Sequence, residues 1–129
     1  MQAVVLRWPG GEHAFRLGLG ELRALQQKTD CGPEFILHKI TTGRWMIDEL
    51  REVLRNGLIG AGLSPVEAMK LVDRTFEDTP AISFKAPAVE LLAAYLYGPE
   101  DDPVGEALAV DPTPPPEPTE NGNSAPITA

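Results

Sequence analysis

The sequence predicts a mainly α protein with a small N-terminal β-hairpin, about five short helices and a disordered C-terminal tail. Three observations carry this. Residues 46–58 place apolar side chains at helical spacing. Residues 3–19 alternate with period two around "WPGGEH". Residues 98–129 hold 8 of the 13 prolines, seven acids, and no Lys, Arg or aromatic residue. The expected organisation is a hairpin plus helical body over 1–97 and an acidic, Pro-rich tail over 98–129.

The hairpin comes first. Val4, Leu6 and Trp8 alternate with Ala3, Val5 and Arg7; Phe15, Leu17 and Leu19 form the return. Period-two patterning is the strand signal. Pro9 cannot donate to a ladder and belongs in the turn. A lone hairpin is marginal in water. It must therefore pack on the helices or pair with a second chain, which would be the route to a homo-oligomer.

"GELRALQQKTDCG" follows, with Leu19, Leu22 and Leu25 on one face and an end near residues 30–32. "PEFILHKITTG" opens with Pro33, which suits a first turn. It turns Phe35, Ile36 and Ile40 inward, and Gly43 suits the position just past the helix end.

"RWMIDELREVLRNGLIGAG" has the cleanest period. Met46, Ile47, Leu50, Val53, Leu54 and Leu58 form one apolar stripe. Asp48, Glu49, Arg51, Glu52 and Arg55 occupy the other side. Their mixed like and unlike pairs predict a solvated face rather than a salt-bridge ladder.

The three glycines of "NGLIGAG" mark a helix–helix corner. Gly60 or Gly62 ends one helix in the left-handed region. Ser64 caps the next, with Pro65 at its first position and Glu67 three residues on. Gly57 lies inside the preceding helix, where it is expected to admit a neighbouring backbone. The next stripe is Val66, Met69, Val72 and Phe76, widened by Ala68 and Leu71. "TPAISFKAP" reads as a connector broken by Pro80 and Pro87. "APAVELLAAYLYG" is then a helix apolar on nearly every side, hence buried or waiting for a partner.

The charge is uneven. The chain carries 11 Lys/Arg and 19 Asp/Glu, for a net −8. All the cations and 12 of the acids fall in residues 1–97, which leaves the body near neutral and the tail acidic. No basic footprint for nucleic acid is present. No apolar run approaches the roughly 18 residues of a membrane span, and no signal peptide is expected from the opening residues. The single Cys31 allows no internal disulfide, which fits a reducing cytoplasm. The tail cannot bury enough apolar surface to offset its ordering entropy, and "PTPPPEP" favours polyproline II geometry. "VGEALAV" is its only apolar island.

Nothing in the sequence forms a catalytic, cofactor or metal constellation. His13 and His38 are the only histidines, and no HExxH or CxxC occurs. Cys31 stands in a "DCGPE" turn seven residues from His38, without a nucleophile–base signature. "PGGEH" and "GLIGAG" lack the Lys-Ser/Thr of a phosphate loop. Trp8 and Trp45 have no surrounding cations to suggest base stacking. The expectation is a non-enzyme with no cofactor and no metal.

These parts together resemble a known family. "GGEHAFRLGLGELRALQ", "ILHKITTGRWMIDELREVLRNGLIGAGLSPVEAMKLVDRTFEDTP" and "AVELLAAYLYG" are similar to the small gene transfer agent family proteins of gene transfer agent and tailed-phage tail modules. These are interpreted as tail assembly chaperones, with tail tube protein as an older label. "GLIGAGLSPVEA" and the preceding "DELREVLR" are the most specific stretch. The resemblance covers roughly residues 3–98 and implies no catalytic residues. It implies a cytoplasmic assembly factor that binds unassembled tail proteins, chiefly the tape measure protein, with the tail tube protein as a second client. Charge and hydropathy leave neither nucleic acid nor membrane as an expected partner. The alternative is a structural tail component, a tube or connector subunit. The residues chosen for the client surface are Leu92, Tyr95, Leu96 and Tyr97 of the last helix and Trp45 and Met46 at the start of the long one. Tyrosines suit interfaces by combining apolar bulk with a polar tip.

Overall fold

The computed structural model describes residues 2–98. Two strands are followed by five helices: β1 (Val4–Trp8), β2 (Gly11–Phe15), α1 (Leu19–Thr29), α2 (Pro33–Thr41), α3 (Ile47–Gly60), α4 (Pro65–Asp78) and α5 (Lys85–Tyr97). A 3-10 turn, Ala81–Phe84, leads into α5. The mainly α fold with its hairpin is as the sequence predicts. Most of the tail expected to be disordered lies outside the described residues.

β1 and β2 pair antiparallel, with Trp8 opposite Gly11 and Val4 opposite Phe15. Pro9 and Gly10 make the turn, and Gly11 takes φ 118°, a value open to glycine. Leu6, Trp8 and Phe15 face the helices and are buried. The return strand is shorter than the alternation suggested. It stops at Phe15 because the Arg16 N–H leaves the ladder and donates to the Gly57 carbonyl of α3 at 2.8 Å. Leu17 is buried beyond the strand, whereas Leu19 opens α1 and is exposed.

α3 is the central element, packing on α1, α4, α5 and β2. Leu50, Val53, Leu54 and Leu58 are buried along it, against Leu25, Ile36, Ile40, Val72, Phe84, Ala88 and Leu91. Phe84 stacks on Phe76 at 3.8 Å between ring centroids and meets Trp8 edge-on at 6.2 Å. The predicted stripes need correcting at their ends. Met46 and Ile47 are exposed, because the stripe becomes internal only once α3 runs beneath its neighbours. In α2, Phe35 is 55% exposed and Leu37 is buried with Ile36 and Ile40. In α4, Val66 and Met69 are exposed, and Ala68, Val72 and Thr75 turn inward. These three residues face α3, the helix α4 packs on most.

The caps follow the sequence closely. The Ser64 hydroxyl accepts from the Glu67 N–H at 3.2 Å, and Pro65 begins α4. α3 ends in a Schellman turn: Leu63 N–H donates to Leu58 O and Gly62 N–H to Ile59 O, both at 3.0 Å, with Gly62 at φ 117°. Gly43 lies past the end of α2 at φ 78°. Asp30 ends α1 at φ 58°. The close backbone approach expected at Gly57 occurs one turn later. A Cβ on Gly60 would overlap the Arg16 carbonyl, whereas one on Gly57 would meet side chains, Leu91 Cδ2 at 2.6 Å and Phe15 Cδ2 at 2.9 Å. α5 begins two residues before Pro87, in a first turn that needs no Pro N–H.

Candidate functional site

The side of α3 expected to be solvated carries two buried carboxylates. Glu52 is 0% exposed, and both its oxygens are occupied. Arg55 donates Nη2 to Oε1 at 2.7 Å and Nε to Oε2 at 3.2 Å. Arg51 Nη1 donates to Oε2 at 2.8 Å, and Asn56 Nδ2 reaches Oε1 at 3.3 Å. Arg51 also grips Asp73 of α4, Nε to Oδ1 at 2.6 Å and Nη2 to Oδ2 at 3.2 Å. This bond holds the Asp73 carboxyl below its usual range, against the opposing effect of burial. A buried carboxylate needs paired donors to offset desolvation, and here one helix supplies them and ties a second. Sequence spacing showed Glu52 with Arg55 but not the neighbouring helix that covers them.

Glu49 forms a second buried node. Its Oε1 accepts the Met46 N–H at 2.8 Å, closing the first turn of α3, and its Oε2 receives Lys39 Nζ from α2. That bond raises the Lys39 pKa above its ordinary value, against burial. Lys39 also lies 5.6 Å over the Phe35 ring, which His38 stacks on at 6.5 Å. The Cys31 thiol faces Lys39 Nζ at 3.9 Å and Glu49 Oε2 at 4.0 Å. His38 is engaged with Phe35 instead. Among the described residues, no group of three or more His, Cys, Asp or Glu side chains could hold a metal ion, and no helix is long and apolar enough to cross a membrane.

The residues expected to form a client surface separate into four kinds. Met46 and Tyr97 are exposed, at 64% and 68%. Trp45 and Leu96 are half-buried against the core. Leu92 is 0% exposed and is a core residue, because it lies on the side of α5 turned to the body. Tyr95 is a strut: its hydroxyl donates to the Gln2 carbonyl at 2.6 Å and approaches the Phe15 carbonyl at 3.2 Å. Burial raises its pKa. The six residues come from two places, the start of α3 and the end of α5. Around the first, Phe35 and Ile47 add further exposed apolar surface that stripe reasoning had placed inside.

A family model described as phage tail tube protein, GTA-gp10, matches residues 2–98. The chain belongs to that family. No curated protein and no solved structure matches it. Membership gives this phage and gene transfer agent tail protein a tail-related role, and the family is one of structural and tail assembly proteins. The match ends where the described residues end, so the helical body is the family's shared part.

Proposed function

We propose that the chain is a cytoplasmic, non-enzymatic tail assembly chaperone. Its clients are unassembled tail proteins, chiefly the tape measure protein, with the tail tube protein as a second. The observation that carries this reading is the exposure of large apolar side chains at helix ends, Met46 and Ile47 on α3 and Tyr97 on α5, on a family body with a tail-related role. Trp45 and Leu96 flank them and extend the surface. Apolar helix faces are held by such surfaces through several anchors at helical spacing. Several weak contacts along one long client add up to useful affinity. The acidic segment beyond residue 98 supplies charge that favours solubility of a loaded complex.

The family description favours a second reading, a tube or connector subunit of the particle. Against it, the described residues contain one two-stranded sheet with five residues per strand, a short edge from which to build a ring. Two measurements separate the readings. Co-expression with the tape measure protein of the same gene cluster should yield a complex and raise that protein's soluble fraction; no complex and no gain would overturn the chaperone. Mass spectrometry of purified particles should not find the chain, whereas many copies per particle would make it a subunit.

A further inference from the structure

We propose that Trp8 and His13 form a proton-operated latch, which holds the turn end of the hairpin to the helical body and releases it when His13 takes up a proton. The Trp8 indole is buried, at 5% exposure. Its Nε1–H donates to His13 Nδ1 at 2.8 Å. An indole carries one donor and no acceptor, so when buried it depends on a partner that stays an acceptor. Imidazole accepts only through a nitrogen without a proton. The bond therefore fixes neutral His13 with its hydrogen on Nε2. Protonation at Nδ1 sets one N–H against another and leaves the buried indole without its partner. Histidine side chains change charge between about pH 5 and 8, so the bond is present above that range and lost as pH falls through it.

Packing confines the consequence to the turn. Trp8 meets Phe15 edge-on at 5.7 Å and Phe84 at 6.2 Å, and Phe84 stacks on Phe76 of α4. A Cβ on Gly10 would come within 2.4 Å of the indole, so the turn closes directly over the ring. The open end of the hairpin is held separately, by the Tyr95 hydroxyl on Gln2 and by the Arg16 N–H on Gly57. Losing the Trp8 bond frees residues 8–13 and leaves those two ties in place.

The groups that face His13 are apolar. Leu6 stands opposite it on β1. From α3 and the corner that follows come Leu58, Ala61, Gly62 and Leu63, which line a groove with it. The charged residues of the hairpin, Arg7 and Glu12, pair with each other one position along. Alternation puts them on the outer side of the sheet, where both are exposed.

The test follows the 15N-labelled full chain by NMR from about pH 8 to about pH 5. Trp45→Phe assigns the two indole signals. At the upper end the ring nitrogens of His13 should report the Nε2–H tautomer. Across the range, protection of the Trp8 indole N–H from exchange should fall at least about tenfold, with amide shifts centred on residues 8–13 and sparing Val4 and Arg16. His13→Gln supplies an acceptor that does not titrate and should abolish the pH response. His38→Gln changes the other of the two histidines and should leave the response intact. The proposal is overturned by an Nδ1–H tautomer, by indole protection that is the same at both ends of the range, by a response that survives His13→Gln, or by one that disappears with His38→Gln. The tautomer and the titration of the unmodified chain decide the matter even if a variant fails to fold.

Discussion

The Tyr95 hydroxyl donates to the Gln2 carbonyl at 2.6 Å, joining the last helix of the body to the residues that lead into its first strand. The same oxygen lies 3.2 Å from the Phe15 carbonyl, at the opposite strand's end. One side chain thus closes the open end of a hairpin that is too small to be stable alone.

Tyr95→Phe removes this clasp and little volume. The expected loss is about 1 kcal/mol, the usual worth of such a bond, with faster amide exchange at Val4 and Leu6. The alkaline limb should change as well. The Tyr95 pKa is raised above the ordinary tyrosine value of 10.0, so its contribution is complete below that value and lost as pH rises through the folded-state pKa. Lys39, raised above 10.5, acts in the same direction. The mutant should therefore show a shallower fall in stability above roughly pH 10, read by urea titration at several pH values.

Glu52 is the most demanding charge in the body. Glu52→Ala leaves Arg51 and Arg55 beside a cavity, while the Asn56 amide keeps its 2.8 Å bond to the carbonyl of residue 52. Removing one partner of a buried pair costs about 3–5 kcal/mol, and the lower end applies here because both arginines reach solvent. Asp73→Asn should cost far less, about 0.2–1 kcal/mol, since its side chain is 47% exposed and salt screens it. The Asp73 pKa is lowered from 3.8, so its contribution is present above that value and lost as pH falls through the folded-state pKa. Thermal melts at neutral pH and near pH 3 check both.

Gly60→Ala should be worse than Gly57→Ala, although helix propensity favours alanine at either by roughly 1 kcal/mol. At Gly60 the new methyl meets a backbone oxygen fixed by the Arg16–Gly57 hydrogen bond. At Gly57 it meets the methyl end of Leu91, which can shift, and the ring of buried Phe15, with no backbone atom among its nearest neighbours. Overpacking costs of about 1–3 kcal/mol apply, with Gly60 at the upper end. Equal melting temperatures for the two variants would refute the ranking.

Local chemistry was legible where the chain itself decides the outcome. Ser64 with Pro65, Gly43 and the Gly62 corner were readable because caps and left-handed turns depend on a few adjacent residues. The buried positions of Glu49 and Glu52 were not, because their partners Lys39 and Asn56 become relevant only when the surface is covered. Phe35, expected to face inward, is exposed for the related reason that periodicity gives a face but not what lies against it. At α5, nearly uniform apolarity gave no face at all. The division between buried Leu92, bonded Tyr95 and exposed Tyr97 comes from tertiary contacts alone.

That division supplies the sharpest test of the helix-end surface. Leu92→Asp places a carboxylate in the core and should unfold the body, at a cost above about 3 kcal/mol. Tyr97→Asp and Met46→Asp alter exposed positions and should leave helicity and melting temperature within about 0.5 kcal/mol of the parent. If the surface holds a client, each should weaken pull-down of co-expressed tape measure protein, and the double variant should weaken it most. Folded variants that retain the tape measure protein fully would remove these residues from the client surface and leave their exposure without that role. Folded variants that lose it would place the client across the start of α3 and the end of α5. The Leu92 variant marks the other boundary, since loss of binding there reports loss of the fold.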